Sequence, residues 1–334
     1  ISLHAGWRKD ENTNSVAVPI YQTTSYQFDN TDHAANLFAL SELGNIYSRI
    51  MNPTCDVLEQ RIAKLEGGVA ALAVASGQAA SALAIQNLCV AGDNFVASSH
   101  LYGGTYNQFK NPFSDMGIEV RFVDPSDPQN FLKATDEKTR AYYGEVLPNP
   151  SFEVFPLQEV SDIGKPLGIP LIVDNTAAPI ICKPFEHGVS VLLHSTTKFI
   201  GGHGNSIGGI LVDSGNFDWE KYPERQPKLN QPAPSYGGAV WTEAVKPLGP
   251  IAYILKARVT LLRDMGAAMS PFNAFMFLQG LETLPLRMRE HSNNAAKVVK
   301  YLKGHAKVDR VIYPSEVGQE RAAKYLSGGL GGLM

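Results

Sequence analysis

Apolar and polar residues alternate along the chain in blocks that predict strands separated by helices. Apolar residues between positions 57 and 65 repeat at helical spacing and stop at Gly67-Gly68, which predicts a helix with a glycine stop. Short apolar runs bounded by turn residues predict strands at 70–74, 95–97, 120–123, 141–146, 170–174 and 190–194. Strands that alternate with helices, such as the helix predicted at 78–88, indicate an α/β fold with a mostly parallel sheet and helices on both faces.

The character of the sequence divides the chain into three regions. Residues 1–45 are polar and irregular, and they predict an extended arm with a short helix at 33–40. The alternating region 46–247 predicts a large α/β domain. Residues 248–334 predict the start of a smaller C-terminal α/β domain, which we expect to be incomplete because no second layer is evident before the last residue.

The C-terminal part of the chain is predicted to be mainly helical. Apolar periodicity predicts one long helix at 242–265 and a second helix after Ser270-Pro271. A third helix is predicted at 280–302, because Lys303-Gly304 is a typical stop signal. A strand is predicted to follow at 308–313.

Composition and charge exclude several classes of protein. Of the 334 residues, 44% are hydrophobic and 18% are charged, which is typical of a globular protein and not of a disordered or coiled-coil chain. A formal charge of −3 favours neither nucleic acid nor an anionic membrane as the main partner. No run approaches the ~18 consecutive apolar residues of a membrane helix. With no secretory signal in the sequence, we expect a cytoplasmic protein.

Cysteine and histidine residues show no metal-binding pattern. The three cysteines have no CxxC or Cys/His spacing, which argues against a disulfide framework and against a structural zinc site. The eight histidines show neither HExxH nor metal-triad spacing. The chain also lacks the P-loop, GxGxxG and GxSxG patterns.

A lysine close to the end of a predicted strand is the most informative candidate for chemistry. Lys198 follows the apolar run 189–193, so we expect it to be partly desolvated, and desolvation favours the neutral amine that forms Schiff bases. The hydroxyls of Ser195 and Thr197 flank the same turn and could donate to a phosphate. Asp174 ends another predicted strand and could keep a pyridinium nitrogen protonated. Taken singly, such residues are more often a solvated lysine and a turn-forming aspartate.

Two further turns could bind parts of a planar phosphorylated cofactor. Ser76, Gly77 and Gln78 stand between a predicted strand and a predicted helix, where free N–H groups favour a phosphate. Tyr102 precedes a glycine pair and offers a ring that could stack on a planar group. An ordinary small-residue turn and a half-buried tyrosine are the alternatives when each is considered alone.

Together these residues resemble the Cys/Met-metabolism (trans-sulfuration) family of fold-type I pyridoxal-phosphate enzymes. The family's Tyr-x-Arg-x-x-x-Pro-Thr signature matches residues 47–54. Its Ser-Gly, Tyr-Gly and Asn-Pro pairs match Ser76-Gly77, Tyr102-Gly103 and Asn149-Pro150. The resemblance extends from residue 19 to residue 284, and it also includes the spacing of Asp174, Ser195, Thr197 and Lys198. It implies the fold-type I architecture, with 46–247 as the cofactor-binding domain.

The resemblance implies a role for each matched residue. Lys198 would hold pyridoxal 5'-phosphate covalently and carry protons, Asp174 would contact the ring nitrogen, and Tyr102 would stack on the ring. Tyr47 and Arg49 would reach the phosphate bound by a neighbouring subunit. The remaining residues implied to surround the cofactor are Ser76, Gly77, Gln78, Asn149, Thr176, Ser195 and Thr197.

Within the family the chain is most similar to the O-acetylhomoserine sulfhydrylases. That branch implies a γ-replacement in which O-acetylhomoserine and sulfide, or a thiol, give homocysteine or methionine and acetate. Cystathionine γ-synthases and lyases usually have Gly-His-Ser-Asp where this chain has residues 202–205, and methionine γ-lyases have a cysteine at the position of Gly104. A γ-synthase, a γ-lyase and a catalytically silent scaffold stay open as alternatives.

The resemblance also implies partners. It predicts a homotetramer built from dimers that share active sites. The sulfur donor, which could be sulfide, a thiol or a protein sulfur carrier, stays open, as does the choice between acetyl, succinyl and phosphoryl esters. The arginine that binds the substrate carboxylate in this family is expected in a stretch that follows residue 334.

Overall fold

The apolar runs form a single seven-stranded sheet. The structure is a computed structural model that describes residues 1–334. The strands are β1 Ala70–Val74, β2 Asn94–Ser98, β3 Glu119–Val123, β4 Thr139–Glu145, β5 Leu171–Asp174, β6 Val191–His194 and β7 Gly209–Asp213. All six predicted strands are confirmed. The inner strands β2, β4, β5 and β6 are almost entirely buried, as strands of a parallel sheet are, whereas the edge strand β3 is only partly buried.

The sheet is mostly parallel, as the sequence predicts. Its strand order is β1-β7-β6-β5-β4-β2-β3. The pairs from β6 through β5, β4 and β2 to β3 are parallel, whereas β7 runs antiparallel to both β1 and β6. Because β7 reverses direction between them, β1 points the same way as the parallel strands. The carboxyl ends of β1, β4, β5 and β6 therefore meet at one edge of the sheet.

Helices cover both faces of the sheet and lie at both ends of the chain. Leu192 and Leu193 are adjacent in β6 but belong to two different buried clusters, one on each face. The helices are α1 Thr31–Phe38, α2 Pro53–Glu66, α3 Gly77–Gln86, α4 Gly103–Gln108, α5 Gln129–Lys133, α6 Leu157–Gly164, α7 Pro227–Asn230, α8 Trp241–Ala244, α9 Ala252–Lys256, α10 Arg263–Met265, α11 Pro271–Lys303 and α12 Gln319–Tyr325. None of them is both long enough and apolar enough to cross a membrane.

Strand β7 was not predicted. Its apolar core, Ile210-Leu211-Val212, is only three residues long and follows a glycine-rich segment. All five residues of β7 are buried. The strand begins at Gly209, where an added Cβ would lie 2.1 Å from the carbonyl oxygen of Ser76. This close approach brings the loop that precedes β7 against the turn between β1 and α3.

The single helix predicted at 242–265 is wrong. The chain breaks between α8 and α9 at Gly249-Pro250, because Gly249 has a φ of +97° and Pro250 has no backbone N–H to donate. Beyond α9 the segment Ala257–Leu262 is a π-helix that continues into α10. Apolar periodicity alone does not reveal this interruption, since both halves bury apolar residues on the same side of the sheet.

The two helices predicted after Ser270-Pro271 form one helix, α11, of 33 residues that continues through Pro285. Its first half packs in the core beneath the sheet through residues such as Leu281 and Met288. The strand predicted at 308–313 is wrong, because those residues form no ladder. Tyr313 instead joins a small separate cluster on the second half of α11. The domain boundary at residue 247 stays a prediction.

One buried acid gives the fold a testable pH dependence. Asp213 at the end of β7 is fully buried, and its carboxylate accepts one hydrogen bond, from the Gly215 N–H at 2.9 Å. Burial raises the pKa of Asp213 from 3.8 to about 7, and the Gly215 bond offsets only part of that rise. The unfolded chain releases this proton near pH 4 and the folded chain near pH 7. The free energy of unfolding therefore falls between these values, by about 4 kcal/mol.

We predict that Asp213→Asn is more stable than the parent at pH 8. The amide still accepts from Gly215 but leaves an unpaired NH₂ group, at a cost of about 1–3 kcal/mol. The net gain at pH 8 is thus about 1–3 kcal/mol, and it shrinks towards zero at pH 5. Urea unfolding of the cofactor-free protein at both pH values measures it, with the exposed Asp115→Asn as control. An equal effect of Asp213→Asn at pH 5 and pH 8 would contradict the assignment.

Candidate active site

A cavity of about 670 Å³ opens at the carboxyl edge of the sheet. Its walls come from the ends of β4, β5 and β6, the start of α3, the start of α4 and one side of α11. Ten of the twelve residues predicted to bind the cofactor line it: Ser76, Gly77, Gln78, Tyr102, Asn149, Asp174, Thr176, Ser195, Thr197 and Lys198. The parallel topology brings them together, because segments far apart in sequence end at the same edge.

One end of the cavity is built to accept an anion. Ser76 is the N-cap of α3, and its hydroxyl accepts the Ala79 N–H at 3.1 Å. As first-turn residues, Gly77 and Gln78 have N–H groups with no acceptor inside the helix. A Cβ at Gly77 would lie 2.6 Å from the Cβ of Ser195, so only glycine lets the helix start this close to the turn after β6. This arrangement suits a phosphate.

The turns after β5 and β6 are joined by hydrogen bonds. The Ser195 N–H donates to the Thr176 hydroxyl at 2.7 Å, and the Thr176 N–H donates to Asp174 at 2.8 Å. The Thr197 hydroxyl donates to the Gly208 carbonyl and accepts the Gly208 N–H, both at 3.1 Å. Thr197 thus ties the lysine turn to the segment before β7, which leaves its hydroxyl less free than that of Ser195.

Two carboxyl groups lie side by side at the floor of the cavity. Glu145 and Asp174 are register partners at the ends of β4 and β5. Burial raises the pKa of Asp174, and the hydroxyl and N–H of Thr176 and the charge of His194 only partly offset it. Burial, followed by the neighbouring Asp174 carboxylate, raises the pKa of Glu145 well above its usual value. No lysine or arginine compensates Asp174, which leaves this carboxylate short of a cation.

Lys198 lies in the cavity, but not in the environment that the sequence predicts. Strand β6 ends at His194, and Lys198 stands four residues later in the following turn. Its side chain is exposed and projects into the open cavity, so the expected partial desolvation by the strand is wrong for this chain. The Lys198 carbonyl accepts the Gly202 N–H at 2.8 Å, which fixes the turn that carries it.

Tyr102 and Asn149 stand at the rim of the cavity. Tyr102 is half exposed at the N-cap of α4, and its backbone N–H donates to Glu145 at 2.9 Å. Its ring folds over Gly104, where an added Cβ would meet the ring at 2.5 Å. Asn149 is exposed and follows β4 by four residues. Both positions allow contact with a planar ligand lying above the two carboxyl groups.

Tyr47 and Arg49 lie outside the cavity of their own chain. Both are exposed, and the Arg49 guanidinium lies 5.2 Å from the centre of the Tyr47 ring. Arg49 also donates to the backbone carbonyl of Arg263. These residues border a separate surface groove with Tyr26 and Asp264. Within one chain they therefore cannot complete the site.

Sequence reasoning missed the far wall of the cavity. Arg287 on α11 donates to the carbonyls of Phe199 and Gly280 at 2.7 Å and so holds the lysine turn against the helix. A Cβ at Gly280 would lie 2.3 Å from the Ile200 carbonyl oxygen, so glycine permits this contact. The missed lining residues are Thr105, Glu145, Leu147, Ala177, Phe199, Gly202, Ile207, Arg287, His291 and Leu333. The sequence predicts helical structure here and the resemblance reaches residue 284, but neither indicates that α11 lines the cavity.

Comparisons with known proteins agree with this geometry. The sequence model of the family described as Cys/Met metabolism PLP-dependent enzyme matches residues 1–334. An O-acetyl-L-homoserine sulfhydrylase of Leptospira meyeri is 52% identical over 100% of this chain and 77% of its own length. A homocysteine/cysteine synthase of Saccharomyces cerevisiae is 50% identical over 100% of this chain and 76% of its own.

A solved structure shares the fold. It is a Campylobacter jejuni protein assigned as an O-acetylhomoserine (thiol)-lyase, 40% identical, and the match covers 99% of this chain and 82% of that one. The TM-score is 0.95, and that protein contains N'-pyridoxyl-lysine-5'-monophosphate.

Proposed function

The chain belongs to the Cys/Met metabolism family of pyridoxal-phosphate-dependent enzymes, and from that membership we propose that it catalyses γ-replacement on O-acetylhomoserine. Sulfide is the acceptor, and the products are homocysteine and acetate. The observation that carries the proposal is that relatives about half identical over the whole chain are an O-acetyl-L-homoserine sulfhydrylase and a homocysteine/cysteine synthase. The cavity lined by both Lys198 and Asp174 supports it.

The residues of the cavity fit pyridoxal phosphate. The Asp174 carboxylate has no lysine or arginine partner, as expected if a protonated ring nitrogen completes its environment. The unpaired N–H groups of Gly77 and Gln78, with the Ser195 hydroxyl, form a cradle that a Cβ at position 77 would fill. When bound, the cofactor supplies an electron sink for the negative charge that develops at the substrate Cα.

The side chains of the cavity divide the remaining tasks. Lys198 accepts the Cα proton at Nζ and shifts protons at Cβ, which lets acetate leave from Cγ and sulfur add there. Asp174 would keep a proton at the ring nitrogen through its negative charge. Tyr102 would cover the ring and orient it, while Thr176 holds the Asp174 carboxylate in place through its N–H. Asn149, which lines the cavity, would bind the ring's phenolic oxygen or the substrate carboxylate.

Turnover with different esters and acceptors tests the proposal. The purified protein, loaded with pyridoxal phosphate, is given O-acetyl-, O-succinyl- or O-phosphohomoserine with sulfide, methanethiol or cysteine. We expect homocysteine from the acetyl ester and sulfide as the fastest reaction. Cystathionine as the main product would indicate a γ-synthase. Formation of 2-oxobutyrate in the absence of a sulfur acceptor would indicate a γ-lyase. No turnover of any ester by loaded protein would indicate a silent relative.

Assembly and location form a second part of the proposal. Tyr47 and Arg49 are exposed and lie away from their own cavity, which supports a dimer in which each chain contributes them to its partner's phosphate site. A bidentate guanidinium suits a phosphate better than an ammonium does. We propose a homotetramer built from two such dimers and located in the cytoplasm. A protein sulfur carrier is a candidate donor of the sulfur.

Mixing two inactive variants tests the shared site. Arg49→Ala should weaken cofactor retention, since a charge-assisted bond to phosphate is lost, and Lys198→Ala should lose turnover. In a mixed dimer, one site receives its lysine and its arginine from intact copies. Random subunit exchange should then restore up to about a quarter of the wild-type activity, because half of closed dimers are mixed and one site in two works. Exchange without recovery would show that Arg49 acts within its own chain.

A further inference from the structure

Glu145 is a buried acid in the cavity with no part in the mechanism above. It ends β4 next to Asp174 in the sheet register, and only 5% of its surface is exposed. An acid in such a place is costly unless it is protonated or hydrogen-bonded. A residue at the end of a strand that needed only to fill space would be apolar.

The contacts of Glu145 lead to the residue that covers the cofactor. Its Oε1 accepts the Tyr102 backbone N–H at 2.9 Å across 43 residues of sequence. Tyr102 stands at the N-cap of α4, where no side chain caps the helix. The Asn149 backbone N–H also faces the Glu145 carboxyl group and favours its charged form. Glu145 thus connects the sheet floor with the turn that carries the Tyr102 ring.

The ring of Tyr102 depends on this anchor because little else holds it. Half of its surface is exposed, and its ring rests over Gly104, which has no side chain to support it. Moving the backbone at the start of α4 would therefore move the ring. The nearest fixed point of the sheet to which that backbone is bonded is Glu145.

The charge of the two neighbouring acids assigns them different tasks. Thr176 donates to Asp174, whereas burial and the Asp174 charge act together against ionisation of Glu145, whose pKa is raised further. The neutral, protonated form is therefore favoured more strongly at Glu145 than at Asp174. A glutamine at position 145 would reproduce the neutral, accepting form.

We propose that Glu145 is a positioning residue that holds the Tyr102 backbone so that the ring covers the cofactor beside Asp174. This inference rests on the proposed function for the identity of the bound group. It assigns Glu145 a role in cofactor binding and orientation and no direct part in proton transfer.

A pair of variants of similar size separates the hydrogen bond from packing. Glu145→Gln keeps the acceptor, and Glu145→Met keeps the volume but removes it. Pyridoxal phosphate binding to the cofactor-free protein, followed by absorbance and visible circular dichroism, gives a dissociation constant and a measure of ring orientation. We expect Glu145→Met to bind pyridoxal phosphate about tenfold more weakly and with an altered dichroism band, because one hydrogen bond is lost. The dissociation constant of Glu145→Gln should stay within about threefold of the wild-type value.

A double-mutant cycle with Tyr102→Ala shows whether Glu145 acts through Tyr102. If it does, Glu145→Met should cost less than about threefold in affinity once Tyr102 is alanine. Asp213→Ala is the matched control: it also removes a buried carboxylate that accepts one backbone N–H, but outside the cavity. It should leave cofactor affinity unchanged. Should Glu145→Met fail to fold, Glu145→Asp, which retracts the acceptor, must show the same dependence on Tyr102.

Three results would overturn the inference. The first is wild-type cofactor affinity and dichroism in Glu145→Met. The second is a loss of affinity from Glu145→Met that is just as large in the Tyr102→Ala background. The third is a loss of affinity in Asp213→Ala equal to that in Glu145→Met. Since the readout is cofactor binding, a wild-type protein that turns over no homoserine ester would overturn the proposed reaction and not this assignment. A protein that binds no pyridoxal phosphate at all would overturn both.

Discussion

Lys198→Ala should lower kcat by about 10²–10⁴-fold or more, while the protein still folds and binds the cofactor. Proton transfer by a positioned base is typically worth ~10²–10⁴-fold, and the variant also loses the covalent attachment. Folding should be unaffected because the side chain is exposed and projects into the cavity. The start of α3 and Ser195 should still hold the phosphate, so binding is expected to weaken without being lost.

Steady-state turnover with O-acetylhomoserine and sulfide measures this effect. Borohydride reduction of the wild type should bleach its visible band, and mass spectrometry should place the pyridoxyl adduct on Lys198. Lys198→Arg is the matched control, since it keeps the positive charge but can neither form the imine nor act as a base at neutral pH. Activity of Lys198→Arg within tenfold of the wild type, or an adduct on another lysine, would contradict the assignment.

The sequence was most predictive where the site is made by strand ends. Asp174 and Ser195 follow apolar runs that form buried strands, and parallel strands necessarily bring such ends to one edge. Motif spacing added Ser76 and Tyr102, which stand at the starts of α3 and α4. Each of these positions depends on local sequence and on a simple rule of topology.

The parts that could not be predicted depend on contacts between distant segments. Arg287 reaches the lysine turn only because α11 crosses beside it, and no local pattern marks that crossing. The exposure of Lys198 depends on how far the turn extends beyond β6, which hydrophobic spacing does not encode. Glu145 is a single acid at the end of an apolar strand, and its role depends on a hydrogen bond from Tyr102, which is 43 residues away in the sequence.

Replacing either of the two acids at the floor of the cavity by its amide should have a different effect, although the two residues are neighbours. Replacing Glu145 by its amide keeps an oxygen that can accept the Tyr102 N–H. Replacing Asp174 by its amide removes the carboxylate that we propose keeps the ring nitrogen protonated. The structure therefore sets up a direct comparison between two conservative changes at adjacent positions of the sheet.

Asp174→Asn should lower kcat by about 10²–10³-fold with little change in stability. The amide oxygen can still accept the Thr176 N–H, so the turn after β5 should keep its shape. What is lost is the charge that keeps the ring nitrogen protonated, and removing one preorganised electrostatic partner of a developing charge typically costs about 10²–10³-fold in kcat.

Since burial raises the pKa of Asp174, the amide also relieves a buried charge in the cofactor-free protein. We thus expect an unchanged or higher thermal midpoint without cofactor and a lower one than the wild type with it. Steady-state kinetics and thermal unfolding with and without pyridoxal phosphate measure both effects, and Glu145→Gln serves as the neighbouring control. Near-wild-type turnover in Asp174→Asn would show that Asp174 only shapes the turn and that the ring nitrogen needs no anionic partner.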